Sequence, residues 1–489
     1  MKINPLIFRA YDIRGIAQAT EKFPNIDLSP ETAKLIGKGT GTYLQKISAA
    51  TQTAGATNSR SLNIVIGRDN RLHSPDLQKA FIEGLLETGC NVTNIGISPT
   101  PFMYYAVCKY NFDSGINITA SHNPKEYNGI KIVAKNAHSI CGDELQEILK
   151  IIQKGEFAQP EAANEANEKP QYKEMEVFPE FKEDIKKLVK LARPLKIVVD
   201  AGNGTAGKFA PQLLREIGCD VTGLYCELDG NFPNHEANPE ELKNMKDLIK
   251  KVREIKADMG LAFDGDGDRV GVVDENGHHY SADYLLLLLA RDLLTRKPGA
   301  KIVFDVKVTQ TLIDDIKKHG GEPVMSKTGH SFIEAKMKKI GAPLAGEVSG
   351  HMFFGENYFG FDDAFLAAAK LLEIASKHTG TFSSLFNDVP KTFNTPEFKA
   401  YCPDEKKFEI VRALTDHFTK IYDCITIDGV RINFSPTSWG AVRCSNTSPN
   451  LTLRFEAETP EKLKEIMETM ADEISKYPEV SLDWTKENV

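Results

Sequence analysis

The sequence predicts an α/β protein with three related α/β domains of βαβ-containing mixed sheets and a fourth, α+β domain at its C-terminal end. Two observations lead to this prediction: a repeated pattern of apolar strands, and a change of pattern after about Pro390. Three continuous runs rich in β-branched residues each end at an acidic residue, and they lie at residues 64–69, 197–200 and 302–305. Such runs are typical of strands buried on both faces of a mainly parallel sheet.

Each of these runs is followed by a helical stretch and by a second strand that a glycine introduces. The glycines and the strand residues they precede are Gly89 before Val92, Gly218 before Val221, and Gly320 and Gly321 before Val324. A β–α–β unit that occurs three times along one chain implies three related α/β domains.

The fourth domain is predicted from the alternation of residues 429–434 and 451–455, which is typical of half-exposed strands. An amphipathic helix follows from Pro460 to about Ser475. A polar segment with two prolines, residues 153–171, is interpreted as a linker between domains. We therefore expect domains at residues 1–155, 170–275, 276–388 and 389–489.

Composition and charge narrow the classes of function. The net charge of −8 argues against broad binding to nucleic acid, which requires a basic surface. The eight cysteines include no C-x-x-C pair, so neither a zinc ribbon nor a thioredoxin-type site is indicated. The N-terminal segment has no apolar signal region, and the most apolar run, residues 284–290, is far too short to cross a bilayer. We expect a cytoplasmic protein without nucleic-acid or membrane partners.

The first candidate site residue is Ser121, within Thr-Ala-Ser-His-Asn-Pro at residues 119–124. This segment follows a short apolar run, so the serine lies on a loop at the end of a strand, where open α/β sheets place ligand sites. His122 is adjacent in sequence only, and no Gly-x-Ser-x-Gly elbow surrounds the serine. On local sequence alone, an ordinary turn residue is the simpler interpretation.

The second candidate is an acidic loop in which Asp264, Asp266 and Asp268 alternate with glycines between two apolar runs. Three carboxylates at alternate positions can face one cation, and hard oxygen ligands suit Mg²⁺ or Ca²⁺ rather than zinc. A solvated acidic turn is the alternative. An EF-hand is rejected, because Arg269 stands where its loop needs glycine and the flanks are predicted strands.

The third motif is Gly-Asn-Gly-Thr-Ala-Gly-Lys at residues 202–208. It matches the dinucleotide pattern G-x-G-x-x-G and nearly matches a P-loop. However, Phe209 stands where a P-loop needs a hydroxyl for Mg²⁺, and the supporting acid about twenty residues further on is only Glu227, inside Tyr-Cys-Glu. We interpret this motif as a tight strand-to-helix turn and expect neither ATP nor NAD.

Two further clusters suit a sugar phosphate. Glu347 and Ser349, in Gly-Glu-Val-Ser-Gly-His, can exchange hydrogen bonds with vicinal sugar hydroxyls. A loop that begins with Arg443 can hold a phosphate through side chains and backbone amides, and its other polar members are Ser445, Asn446 and Thr447. Either cluster alone also fits an ordinary polar loop.

Together with Phe-Arg-Ala-Tyr-Asp-Ile-Arg-Gly at residues 8–15, these five clusters occur in one order over nearly the whole chain. They closely resemble the α-D-phosphohexomutase family, in its bacterial phosphomannomutase/phosphoglucomutase branch. The resemblance implies four domains around a central cleft. In chain order these domains would contribute a phosphoserine loop, a metal-binding loop, a sugar-recognition loop and a phosphate-binding loop.

The resemblance also implies roles for single residues. Ser121 matches the phosphorylated nucleophile, whose oxygen would complete a metal shell formed by Asp264, Asp266 and Asp268. Lys131 resembles the general acid/base, and the other implied catalytic residues are Arg14 and His330. The implied substrate-binding residues are Tyr11, Arg269, Lys307, Glu347, Ser349, Arg443, Ser445, Asn446 and Thr447.

The implied reaction interconverts hexose 1-phosphate and hexose 6-phosphate, of mannose, glucose or both. It would proceed through phosphorylated Ser121 and a hexose 1,6-bisphosphate intermediate, with Mg²⁺ as cofactor and the bisphosphate as activator. Sugar phosphates are the expected partners, and we expect a monomer, with a dimer left open. Two alternatives stay open: a phosphoglucosamine mutase, whose usual opening segment and alanine-bearing metal loop are absent here, and a metal-dependent sugar phosphatase.

Overall fold

The computed structural model of the protein describes residues 3–51, 61–159, 169–446 and 448–486. Residues 160–168, in the middle of the predicted linker, lie outside these ranges.

The first sheet contains seven strands, and four helices belong to the same region. The strands are β1 (Ile13–Ile16), β2 (Asn63–Arg68), β3 (Asn91–Ile97), β4 (Ser114–Ile118), β5 (Tyr127–Ala134), β6 (His138–Ser139) and β7 (Tyr172–Glu174). The helices are α1 (Pro30–Thr51), α2 (Ser74–Glu87), α3 (Thr100–Lys109) and α4 (Asp143–Lys154). The strand order is β1-β5-β4-β2-β3-β7, with β6 on β5. Although β7 follows the predicted linker, it pairs in parallel with β3 and extends this sheet.

The second sheet has the order β12-β11-β10-β8-β9. Its elements are α5 (Phe178–Leu188), β8 (Lys196–Asp200), α6 (Ala210–Glu216), β9 (Asp220–Leu224), α7 (Lys246–Ile255), β10 (Met259–Phe263), β11 (Val270–Asp274) and β12 (His279–Tyr280). Strands β10 and β11 form an antiparallel hairpin whose turn carries the acidic loop. Its flanks are therefore strands, as predicted. The glycine motif forms a tight turn after β8, where Gly202 and Asn203 both have positive φ.

In the third sheet β13 pairs in parallel with β14 on one side and with β15 on the other. The elements of this part of the chain are α8 (Ala282–Arg296), β13 (Lys301–Asp305), α9 (Gln310–Lys318), β14 (Glu322–Ser326), α10 (His330–Ile340), β15 (Leu344–Gly346), β16 (Met352–Phe354) and α11 (Ala364–Lys377). In each of the first three sheets the predicted pair of strands, joined by one helix, is parallel. The three predicted β–α–β units are thus confirmed.

The fourth sheet is antiparallel, in the order β17-β22-β21-β20-β19 with β18 on β22. Its elements are β17 (Phe393–Asn394), β18 (Phe398–Tyr401), α12 (Asp404–Phe418), β19 (Asp423–Ile425), β20 (Val430–Asn433), β21 (Trp439–Cys444), β22 (Asn450–Ala457) and α13 (Pro460–Ile474). Leu453 and Phe455 of β22 enter one apolar core with Leu414 of α12 and Ile466 of α13. Two helices on an antiparallel sheet make this the predicted α+β domain.

The chain forms two compact units. The first unit contains Met1–Ser281 and Ser349–Ser383, hence the first two sheets together with β16 and α11. The second unit contains Ala282–Val348 and Ser384–Val489, hence β13, β14, β15 and the fourth sheet. None of the described helices is long and apolar enough to span a membrane.

Candidate active site

Ser121 lies in the first unit, on the loop that follows β4. Its φ of 51° is in the left-handed region, which residues with a side chain rarely adopt. Its Oγ donates a hydrogen bond to Oδ2 of Asp264 at 2.8 Å and lies 3.1 Å from Nδ1 of His122. Only 2% of the residue is exposed. The loop thus places a buried hydroxyl directly against the acidic loop.

The acidic loop itself is closed by its first carboxylate. Oδ1 of Asp264 accepts the backbone N–H groups of Asp268 (3.1 Å) and Arg269 (3.2 Å), and Gly267 takes the positive φ that this turn requires. Asp264, Asp266 and Asp268 are fully buried, and one oxygen from each lies within 4.8 Å of the others. The alternation seen in the sequence therefore does bring three carboxylates together.

The donor set of this loop fits a hard divalent cation. Oδ1 of Asp266 and Oδ1 of Asp268 are buried and accept no hydrogen bond. A buried carboxylate oxygen without a donor is unfavourable unless a cation or another positive charge lies beside it. Mg²⁺ prefers carboxylate oxygens of this kind.

The pKa values of the three carboxylates are driven apart. Burial, together with the charges of Asp268 and Asp266, raises the pKa of Asp264 well above its usual value. Burial also acts to raise the pKa of Asp266 and of Asp268, but Lys131 outweighs it together with Thr100 at Asp266 and with His351 and Arg269 at Asp268, so both pKa values are lowered. Ionisation of Asp264, which would give this turn a third full negative charge, is therefore disfavoured unless a further cation binds there.

Lys131 and Arg14 supply positive charge from neighbouring strands. Lys131, on β5, donates from Nζ to Oδ2 of Asp266 at 2.9 Å and also to Oδ2 of Asp268. Burial lowers the pKa of Lys131, but the two aspartates outweigh it and raise the pKa overall. Arg14, on the paired strand β1, donates from Nε to Oδ2 of Asp12 at 2.8 Å. Of the two cations predicted for catalysis in this unit, Lys131 is thus buried at the acidic loop and Arg14 is half-buried beside Asp12.

Arg269 is connected by successive polar contacts to two residues that were not predicted from the sequence. Its Nε donates to Nε2 of His351 at 2.9 Å, and Nδ1 of His351 lies 2.6 Å from Oδ2 of Asp362. Burial lowers the pKa of His351 to about 3, so the imidazole is neutral near pH 7. His351 is the last residue of the Gly-Glu-Val-Ser-Gly-His cluster, so its position in that motif could have identified it from the sequence. Asp362 carries no local signal, because only the fold brings it to the histidine.

The remaining predicted residues divide between the two units. Tyr11 and Ser349 belong to the first unit, and both are half-buried. Six belong to the second unit: Lys307, His330, Glu347, Arg443, Ser445 and Asn446. Thr447 lies outside the described residues.

The cationic side chains of the second unit are held by carboxylates. Lys307 donates from Nζ to Oε2 of Glu397. Arg443 donates from Nε to Oδ2 of Asp428 at 2.6 Å. Neither acid belongs to a motif predicted from the sequence. Glu397 is far from Lys307 along the chain, and Asp428 comes just before β20, whereas Arg443 is on the next strand, β21. A salt bridge of this kind keeps a cationic side chain extended and in place.

The loops that carry these residues converge within the second unit. Oδ2 of Asp428 also accepts the backbone N–H of Thr328 at 3.0 Å, and Asn446 donates from Nδ2 to the carbonyl oxygen of Thr328 at 3.2 Å. Next along the chain, Gly329 donates its N–H to Oε1 of Glu347 at 2.6 Å. His330 follows at the start of α10 and is buried. The predicted sugar and phosphate loops are thereby joined.

A serine hydroxyl against a buried acidic turn, with further cations nearby, is suited to phosphoryl transfer, which depends mainly on positioning and charge neutralisation. Comparison with known families identifies the family of this chain. Four family models match the chain, one after another along its length. They are described as phosphoglucomutase/phosphomannomutase alpha/beta/alpha domains I, II and III and the C-terminal domain. They cover residues 5–159, 179–277, 281–393 and 397–473. The chain belongs to the phosphoglucomutase/phosphomannomutase family. The predicted family, four-part α/β architecture and isomerase class are confirmed.

Individual relatives span the whole chain. A phosphomannomutase/phosphoglucomutase of Pseudomonas aeruginosa is 44% identical over 461 residues, 94% of this chain and 93% of its own length. A phosphoglucomutase of Neisseria meningitidis serogroup A is 41% identical over 475 residues, covering 96% and 97%. A solved family member from Burkholderia thailandensis superimposes with a TM-score of 0.85 at 37% identity, over 97% of this chain and 98% of that one.

Proposed function

We propose that this protein is a Mg²⁺-dependent phosphohexomutase that interconverts hexose 1-phosphate and hexose 6-phosphate, of glucose, mannose or both. The observation that carries the proposal is the 2.8 Å hydrogen bond from Oγ of Ser121 to Oδ2 of Asp264, inside a buried acidic turn. Family membership supports it, since the relatives carry the names phosphomannomutase and phosphoglucomutase.

We assign the cation to Asp264, Asp266 and Asp268, together with an oxygen on Ser121. The two buried Oδ1 atoms without donors support this assignment. Bound there, Mg²⁺ offsets the charge of roughly −2 on a phosphorylated serine and polarises the bond to phosphorus. Arg14 and Arg269 are assigned to the charge on the transferred group, because phosphoryl transfer depends mainly on positioning and charge neutralisation.

The proposed cycle has two phosphoryl transfers. In the first, the bond between Oγ of Ser121 and phosphorus breaks, and the free hydroxyl oxygen of the sugar phosphate bonds to phosphorus. The hydroxyl proton passes to a base, for which His330 is the candidate, since the raised pKa of Lys131 keeps its ammonium protonated. In the second, Ser121 takes the other phosphoryl group from the hexose 1,6-bisphosphate, and a proton returns to the sugar oxygen. The phosphate has then changed position and the phosphoserine is restored.

We assign the rest of the substrate to the remaining loops. Arg443 offers a planar set of N–H donors suited to the non-reacting phosphate, and its proposed companions are Ser445, Asn446 and Thr447. Glu347 and Ser349 are assigned to the sugar hydroxyls. Tyr11 and Lys307 complete the proposed binding set. In this proposal each of the four domains contributes one loop, and added hexose 1,6-bisphosphate activates the enzyme by phosphorylating Ser121.

A coupled assay with glucose 1-phosphate, mannose 1-phosphate and glucosamine 1-phosphate tests the proposal. We expect the 6-phosphate of glucose or mannose to form only with Mg²⁺, and faster when hexose 1,6-bisphosphate is added. Isomerised glucosamine phosphate as the main product would favour the phosphoglucosamine mutase alternative. Release of inorganic phosphate without any isomerised sugar would identify a phosphatase and overturn the proposal.

A further inference from the structure

We propose that Arg71 and Thr205 are positioning residues, which hold the backbone of Ser121 in contact with the backbone of Gly265. The proposal rests on the proposed function of Ser121. Neither residue belongs to a cluster assigned above to the cation or to the substrate. Both act from behind the two loops, through backbone carbonyl groups.

Arg71 places a complete set of hydrogen bonds on the serine loop. Its side chain is 1% exposed, and its Nε donates to Oδ2 of Asp69 at 3.0 Å. Its two terminal nitrogens donate to four backbone carbonyl oxygens, which belong to Ser121 (2.8 Å), Asn123 (2.6 Å), Pro124 (2.7 Å) and Tyr127 (3.2 Å). A guanidinium has five N–H donors, so every donor of Arg71 is used within the protein.

Arg71 is itself fixed, and this gives the serine loop a rigid template. Asp69 accepts the backbone N–H of Arg71 at 3.0 Å and the hydroxyl of Ser74 at 2.5 Å, both at Oδ1. A non-glycine residue keeps a left-handed backbone only where its surroundings determine it strongly. The fork of Arg71 supplies such surroundings for Ser121, whose φ is 51°.

Gly265 is the point where the acidic loop meets this template. A Cβ atom at Gly265 would collide with the carbonyl oxygen of Ser121, so only glycine allows the approach. On its other side, a Cβ at Gly204 would lie 2.9 Å from Cα of Gly265. Thr205 donates to the carbonyl oxygen of Gly265 from its backbone N and from its Oγ1, both at 3.0 Å. The Gly265 backbone is therefore enclosed between the serine loop and the glycine-rich turn.

This arrangement accounts for the glycine-rich motif at residues 202–208, which the proposed reaction leaves unused. Asn70 donates from Nδ2 to the carbonyl oxygen of Asn203 at 2.9 Å. Residues 70 and 71 thus hold the glycine-rich turn and the serine loop at once. Because Asp264 precedes Gly265 directly, the same contacts set the distance between the Ser121 hydroxyl and its carboxylate partner.

Replacing Arg71 by alanine tests the positioning role. We expect kcat of the Arg71→Ala protein to fall roughly 10²-fold, the loss that about 1 Å of misplacement produces, with KM little changed. Added guanidinium ion should restore part of kcat, because it can fill the vacated site. Arg71→Lys should remain slow, since an ammonium cannot reach four carbonyl oxygens as a planar fork does. Arg68→Ala is the matched control, because, within the described part of the chain, the side chain of Arg68 donates a single hydrogen bond, to the carbonyl oxygen of Asp69, and none to the serine loop.

A purely structural role of Arg71 would lower Tm and leave kcat per folded molecule unchanged, and that result would overturn the proposal. If Arg71→Ala does not fold, Thr205→Val decides, because valine keeps the shape and the backbone donor while removing the Oγ1 bond. We expect its kcat to fall about three- to tenfold without a rise in KM. Wild-type kcat in Thr205→Val would contradict the proposal. Should the wild-type protein release phosphate instead of isomerising sugars, the proposed function fails, and the same comparison made on phosphate release still decides the positioning role.

Discussion

The acidic site of the first unit and the cationic site of the second unit are built in different ways. The three carboxylates of the first come from one turn, residues 264–268, and the backbone of that turn places them. The cations of the second come from separate strands and loops. There Lys307 and Arg443 are each placed by a carboxylate, Glu397 and Asp428 respectively.

This difference has a consequence for catalysis. A site placed by its backbone keeps its geometry whether or not a substrate is bound, as charge stabilisation in a transition state requires. A cation placed by a carboxylate can exchange that partner for a phosphate of the same charge sign. We therefore expect substitutions in the first site to act mainly on kcat and those in the second to act mainly on KM.

The strongest test of the first half of this comparison is Asp268→Asn. The amide keeps the shape but removes one charge from the acidic turn and weakens the hold on Lys131. We expect kcat to fall roughly 10²- to 10³-fold, with a smaller change in KM. Steady-state rates measured across a Mg²⁺ titration check this. Asp274→Asn, at a buried carboxylate that closes the turn after β11, is the control for lost stability. An effect of Asp268→Asn on KM alone would contradict the expectation that substitutions in the acidic site of the first unit act mainly on kcat.

Arg443→Lys tests the second half. Lysine keeps the positive charge but loses the planar donors and the Nε bond to Asp428. We expect KM for the sugar phosphate to rise about tenfold, equivalent to about 1.4 kcal/mol, while kcat stays within about twofold. Arg412→Lys, at an exposed arginine on α12, is the matched control. A large loss of kcat at unchanged KM would contradict the assignment of Arg443 to the non-reacting phosphate.

The smallest expected effect is that of Asp428→Asn, which tests whether Asp428 holds Arg443 in place. The change weakens the bonds to Arg443 and to the N–H of Thr328 but leaves both groups present. We expect KM to rise about threefold. In the double variant with Arg443→Lys, the effect on KM, expressed as a free energy, should be smaller than the sum of the two single effects, because the residues are in contact. Asp423→Asn, whose carboxylate binds Asn433 outside this site, is the control. Strict additivity would show that Asp428 does not act through Arg443.

The parts of the fold that the sequence predicted well have local signals. Buried parallel strands such as β8 and β13 are continuous apolar runs, and the acidic turn holds all its carboxylates within a few residues. Strand β7 lies at the start of the predicted second domain and is exposed along its whole length, yet it pairs with β3 of the first sheet. An edge strand of three exposed residues has no burial pattern to reveal it.

The site residues that the sequence does not reveal lack such local signals. Arg71, Asp362 and Asp428 each act on a residue of another loop or strand, and each is recognisable only once the fold has brought the two together. His351 was visible at the end of a known cluster but had no chemistry of its own in the sequence. Residue type and spacing reveal groups that act together from one loop, and they do not reveal the residues that hold such groups in place.

The most direct test of the account follows the phosphate on Ser121. The wild-type protein is treated with glucose 1,6-bisphosphate and Mg²⁺, freed of small molecules, and examined by intact mass and peptide mapping before and after one equivalent of glucose 1-phosphate. We predict one added phosphoryl group, located on Ser121, which is still present after the sugar phosphate has been converted to glucose 6-phosphate, because each cycle restores the phosphoserine. Ser121→Ala should gain no phosphate and show no turnover. An active wild-type enzyme that never carries phosphate on Ser121, or a Ser121→Ala protein that still isomerises sugar phosphates, would contradict it.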